Sequence, residues 1–138
     1  MSANSIDLSR NPIHLHAPAQ EQVKAQVLQD FNYDAASFES YIADFCSVED
    51  PGRLVMSETS TEDWTMWECH TAGDEIVIVL AGEGDFIQII DDHEVRIPAC
   101  PGVTILNPAG IWHSADIRSA ITAVYITPCL GTEHKSRS

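Results

Sequence analysis

The segment "WECHTAGDEIVIVLAG", residues 67–82, decides the reading of this chain. Read as a strand, its first part sends Glu68 and His70 to one face and Trp67 and Cys69 to the other, because strand side chains alternate with a period of two. A short polar turn follows, and Asp74-Glu75 then head an apolar run. If that run is the hairpin partner, Glu75 returns to the face of Glu68 and His70, with Val77 and Val79 after it. Two carboxylates and an imidazole then converge within an apolar layer. Carboxylates buried side by side repel one another and are costly to desolvate, so the pattern asks for a cation.

Outward from this segment the text is β from Arg53 onward. "RLVMSET", "WTMWECH", "EIVIVLAG", "GDFIQIID", "HEVRIP", "GVTILNP" and "AITAVYIT" are short runs rich in Val, Ile, Thr and aromatics. "AGEG" and "IPACPG" read as turns between them. The spacing predicts an all-β sandwich or a single antiparallel barrel, closure being the way to remove exposed edges. Residues 1–18 read as an irregular arm ending in proline. From Ala19 to Cys46 the apolar residues Val23, Val27 and Leu28, then Phe38, Tyr41, Ile42 and Phe45, fall at helical intervals around an interrupting "NYD". One broken helix or two short ones are expected there. The expected organisation is an arm and helical extension over 1–50, a β-barrel over 51–130 and a polar tail over 131–138.

At 138 residues and 44% hydrophobic content the chain is long enough for one domain with a real core. Acidic residues outnumber basic ones 21 to 7, a formal charge of −14. That field repels phosphate backbones and anionic membranes, so no nucleic acid partner is expected. No apolar stretch approaches the roughly 18–20 residues of a membrane span. The opening "MSANSIDLSRNP" lacks an apolar signal core, which reads as a cytoplasmic chain. Cys46, Cys69, Cys100 and Cys129 lie far apart without a C-x-x-C pair, so reduced thiols are expected, with Cys69 as a small packing residue.

A second polar patch follows in "GVTILNPAGIWHSADI", residues 102–117, where a turn at Pro108-Ala109-Gly110 delivers Trp112-His113 into a new segment. The two patches together resemble the paired motifs of the cupin superfamily. His70, "TAGD", Glu75, six residues and Gly82 match the end of the first motif, H-x3–4-E-x6-G. Gly102, "VTILN", Pro108, Ala109, Gly110, "IW" and His113 match the second, G-x5-P-x-G-x2-H. The leading Gly of the first motif is missing, Glu68 stands where its first His is expected, and Ile117 stands where the second motif ends in Asn.

The resemblance implies a cupin jelly roll and a metal set of Glu68, His70, Glu75 and His113 holding one divalent ion, Fe, Mn, Ni or Zn. Trp64, Met66 and Trp112 are expected to line the pocket, with Trp67 packed outside. The implied activity is that of a metal-dependent enzyme on a small polar metabolite, of oxygenase, isomerase or lyase type, with Glu68 or Glu75 as candidate general base. The alternative is a binding module that holds a sugar or organic acid without turning it over. In a metal-free version Glu68 would pair with Arg96 or Arg118. "HLH" at His14–His16 reads as a surface or packing element, His93 as a hairpin tip and His134 as part of the tail. A homodimer is expected, its apolar outward residues Ile76, Ile78 and Leu80 wanting a cover.

Overall fold

The computed structural model describes residues 5–17 and 22–138. Its elements run β1 (Ile13–His16), β2 (Lys24–Val27), α1 (Ala35–Phe45), β3 (Arg53–Ser60), β4 (Met66–His70), β5 (Glu75–Ile90), β6 (His93–Ala99), β7 (Thr104–Asn107), β8 (His113–Pro128) and β9 (Thr132–Ser136). The frame is the pair of 16-residue strands β5 and β8, antiparallel from Ile76↔Ile126 to Gln88↔His113. Both change neighbours along their length. Near Glu75, β5 pairs with β7; beyond Gly84 it pairs with β6. The C-terminal half of β8 pairs with β3, which carries β1 and then β2, while its first residue pairs with β4, which carries β9.

The change of neighbours occurs at a bend. Register shifts fall between Val79 and Gly84, and Gly82 sits there at φ 84°. A Cβ on Gly82 would meet the carbonyl oxygen of Ala120 at 2.0 Å, so only glycine lets the two long strands cross so closely. "AGEG" is therefore a bulge inside one strand and not a turn between two. The halves pack as an antiparallel β-sandwich around Val77, Val79, Phe86, Ala99, Ile105, Ala115, Ile121, Ala123 and Tyr125. Of the expected sandwich or barrel, the structure shows the sandwich: among the described residues the strand pairing does not close into a ring.

The helical extension is half as expected. α1 forms, with Asp34 as its cap accepting a 2.8 Å bond from the Ser37 amide, and it buries Tyr41. It covers a second core of Leu28, Phe31, Leu54 and Cys129, with Phe38 and Phe45 packed alongside. The expected earlier helix is instead strand β2, paired with β1; Val23 is 65% exposed, so its spacing marked no buried stripe. Residues 18–21, where that helix was to begin, lie outside the described residues. The tail is also ordered. β9 is exposed throughout, yet it pairs with all of β4, and Lys135 and Arg137 sit over the rings of Trp112 and Trp67 at 4.2 and 5.2 Å. Among the described residues no helix is long and apolar enough to cross a membrane.

The structure also corrects the thiol expectation. Cys46, at the end of α1, and Cys129, just past β8, are joined as a disulfide with Cα atoms 5.9 Å apart across 83 residues of sequence. Cys69 and Cys100 are free. A thiol assay under denaturing conditions is expected to count two reactive thiols per chain before reduction and four after it. A count of four before reduction would contradict the pairing.

Candidate metal centre

Glu68, His70, Glu75 and His113 are brought together, each offering an atom within 4.8 Å of the others. The strand arithmetic explains how. Glu68 and His70 share a face of β4, Glu75 opens β5, and His113 opens β8 directly opposite Glu68 in register. His70 Nε2 lies 3.0 Å from Glu68 Oε1 and 3.2 Å from Glu75 Oε2. His113 Nε2 lies 3.5 Å from Glu68 Oε1 and 3.3 Å from Glu75 Oε1. Donors about 2.1 Å from a shared ion stand about 3.0 Å apart at right angles and about 3.4 Å apart at tetrahedral angles. The four contacts have the edge lengths of such a polyhedron.

Direction matters as much as distance. Both Nε2 atoms are buried and lack a partner in hydrogen-bond geometry, although carboxylate oxygens stand beside them. The oxygens flank the ring nitrogens instead of lying along their N–H directions. The other ring nitrogens are engaged: His70 Nδ1 with the Thr132 hydroxyl at 2.9 Å, and His113 Nδ1 near the Ile111 carbonyl oxygen at 3.4 Å. That oxygen can only accept, which puts a proton on His113 Nδ1 and aims Nε2 at the cluster. The donor set therefore fits a divalent cation.

Glu75 is the most constrained member. Its Oε1 accepts from Asn107 Nδ2 at 2.9 Å and its Oε2 from the Thr127 hydroxyl at 2.7 Å. Asn107 is held in turn by Gln88 Nε2 at 2.9 Å. Glu68 is 25% exposed at its side chain, against 1–2% for the other three. Its second oxygen accepts from His134 Nε2 at 2.9 Å, and His134 faces Glu68 across the β4–β9 pairing.

Asn107, Thr127, Thr132 and His134 were not foreseen. The sequence places His134 in a polar tail, because strand alternation over "TEHKS" is no signal without a known partner strand. The expected ion pairs of Glu68 do not form: Arg96 contacts Asp85, Glu94 and Asp116, and Arg118 contacts Asp85. Of the expected pocket residues, Trp64 packs on Phe86 and Tyr125 with its Nε1 donating to Ser60, Met66 is 39% exposed, and Trp112 lies under Lys135. Trp67 is buried beneath Arg137.

Burial opposes ionisation throughout the cluster, but mutual contact prevails. Burial would lower His70 and His113, yet the two carboxylates raise each to about 9. Burial would raise Glu75, yet the two imidazoles draw it down to about 2, and Glu68 moves down for the same reason. The raised histidines stabilise the metal-free fold fully below the unfolded value near 6.5, and that contribution is lost as pH rises through about 9. The depressed Glu75 contributes above about 4.5 and loses its contribution as pH falls towards 2. In chelator, the melting temperature measured by circular dichroism is therefore expected to be highest between about pH 4.5 and 6.5 and to fall towards pH 9. A melting temperature flat from pH 6 to 9 would contradict this charge pattern.

No protein-family pattern matches the chain, and no curated protein is similar to it. Solved structures are similar to it. A Streptomyces protein, PAC13, solved with uridine, is 16% identical with a TM-score of 0.53, covering 63% of this chain and 70% of that one. An uncharacterised conserved protein with a double-stranded β-helix domain from Klebsiella pneumoniae is 14% identical with a TM-score of 0.50, covering 62% and 75%. A hydroquinone 1,2-dioxygenase from Sphingomonas is 14% identical with a TM-score of 0.46, and the matched region spans 55% of this chain and 59% of the dioxygenase. At these identities the likeness speaks for the fold.

Proposed function

We propose, from a fold similar to that of a double-stranded β-helix protein and from the two motifs in the sequence, that the chain is a metal-binding cupin whose Glu68, His70, Glu75 and His113 hold one divalent ion, Fe, Mn, Ni or Zn. We read it further as a metal-dependent enzyme acting on a small polar metabolite. The observation that supports this is the pair of buried Nε2 atoms without hydrogen-bond partners, set among carboxylate oxygens at coordination-edge distances. Charge supports it as well. Two carboxylates and two imidazolium rings balance at zero, and two carboxylates, two neutral rings and one divalent cation balance equally.

A bound ion would polarise a carbonyl, carboxylate or enol oxygen, and a redox-active one would open oxygenase chemistry. The side chains divide the remaining work. Glu75, with both oxygens already accepting hydrogen bonds, is suited to holding a position and unsuited to moving a proton. Glu68 sits at the solvent side with His134 on its outer oxygen, so it is the better general base if it leaves the ion. A ligand would enter beside Glu68 and His134, the exposed pair of the cluster.

Purified protein is expected to hold metal by elemental analysis, and His70→Ala or His113→Ala to hold about one equivalent per chain less than the wild type. With both rings raised by the neighbouring carboxylates, binding at pH 7 is expected to release protons, read by calorimetry in buffers of different ionisation heat. Unchanged metal content in both variants would overturn the reading. Ligand stabilisation without product in the metal-loaded protein would replace the enzyme with a binding module.

A homodimer belongs to the same reading. Leu80 on β5 and Leu106 on β7 are 53% and 61% exposed, and Leu106 stands opposite Ile76 in register. Light scattering is expected to give twice 15.2 kDa; a mass of one chain would reject it.

A further inference from the structure

The cupin motifs leave "HLH" unexplained, and the structure gives it a defined setting. β1 carries His14 and His16 beside the segment joining α1 to β3, which contains Asp50, Pro51 and Gly52. His14, His16 and Asp50 each offer an atom within 4.8 Å of the others. We infer that these three side chains form a second binding site for one divalent transition-metal ion, taken up through His14 Nε2, His16 Nδ1 and Asp50 Oδ2. None of the three belongs to the centre at Glu75, and the inference does not depend on that centre.

His14 carries the argument. It is fully buried, and its Nε2 has no hydrogen-bond partner. An orphaned ring nitrogen in a core is costly unless something occupies it. Its Nδ1 lies 2.6 Å from the Tyr41 hydroxyl, so Nδ1–H donating to that oxygen leaves the Nε2 lone pair free. Nε2 faces the Asp50–Gly52 segment: a Cβ added at Gly52 would lie 2.7 Å from it. Glycine at that position keeps the nitrogen clear. Burial lowers the basicity of His14, and the neighbouring His16 lowers it further, so the ring is neutral as a ligand must be.

The other two ligands are oriented in the same way. His16 Nε2 donates to the Gln26 side-chain oxygen at 2.8 Å, leaving Nδ1 turned to Asp50 Oδ2 at 2.5 Å. Asp50 Oδ1 accepts from the Ala17 amide at 2.7 Å, leaving Oδ2 for the cluster. Each imidazole thus has its far nitrogen held by a neutral oxygen, the arrangement by which proteins fix the tautomer and direction of a metal-bound histidine. The close approach of His16 Nδ1 to Asp50 Oδ2 marks the place a cation would take. Two imidazoles and one carboxylate suit zinc and its first-row neighbours, with water completing the shell. His16 and Asp50 are about a quarter exposed, which leaves an entry path. A filled site would tie β1 to the segment between α1 and β3.

The test titrates metal-stripped, full-length protein with Zn2+ at pH 7 by calorimetry, alongside Asp50→Asn, His16→Ala, Tyr41→Phe and His113→Ala. Asp50→Asn and His16→Ala are expected to lose one equivalent that His113→Ala retains, so failure of this site is distinguishable from failure of the centre at Glu75. Tyr41→Phe keeps the ring in the core and removes the acceptor of Nδ1–H, so affinity for that equivalent is expected to fall about 10- to 100-fold. NMR of the wild-type histidine rings covers the case of a variant that does not fold, with the His14 and His16 signals expected to shift on Zn2+ addition. Equal stoichiometry in wild type, Asp50→Asn and His16→Ala, or His14 and His16 signals unmoved by saturating Zn2+, would overturn the inference.

Discussion

The ionised carboxylate of Glu75, 1% exposed at the head of a core strand, is the constraint from which most of the structure can be reasoned. A buried charge must be matched, and every polar group around it is placed to do so. Asn107 arrives because β7 pairs Asn107 with Glu75, and Thr127 because β8 runs along the same strand. Gln88, near the far end of β5, reaches Asn107 and the Leu106 carbonyl oxygen. These bonds also pin register. A slip of one residue between β5 and its neighbours would turn Glu75 outward and put Ile76 and Ile78 into the space of Val77 and Val79.

Around this fixed carboxylate the exposure is graded. His70, His113 and Glu75 are closed off, and Glu68 opens towards solvent between two histidines, His113 on β8 and His134 on β9. Replacing a neutral ring by a carboxylate at position 68 keeps the centre electrically balanced with either two protons or one divalent ion. It also leaves Glu68 as the most exposed of the four side chains. The C-terminal strand completes the centre from outside, since Thr132 holds His70 and His134 holds Glu68. The cation–π contacts of Lys135 and Arg137 keep that exposed strand in place.

The N-terminal part is fastened to the sandwich rather than appended to it. β1 extends the sheet of β3, α1 covers a second apolar core, and Cys46–Cys129 ties the end of the helix to the end of β8. His14 lies at the centre of this unit with Tyr41 and Phe45 against its ring. Two clusters of histidine and carboxylate therefore sit on opposite ends of the chain's logic, one built by the motifs and one by the extension.

What was legible from residues alone was whatever a period of two or a fixed motif spacing encodes. Glu68 with His70, Glu75 with Val77 and Val79, and the turn before His113 all follow from local alternation, because a strand's geometry determines which side chains share a face. The same holds for α1, whose apolar spacing acts within one turn or two. Partnerships between distant segments were decided only by the tertiary structure. Whether Lys24–Val27 becomes a strand depends on β1 beside it, and whether Thr132–Ser136 is a tail or an edge depends on the open side of β4. Cys46 meets Cys129, and Asn107 and Thr127 meet Glu75, because strands far apart in sequence lie side by side, and backbone hydrogen bonds to a neighbour override weak local preference.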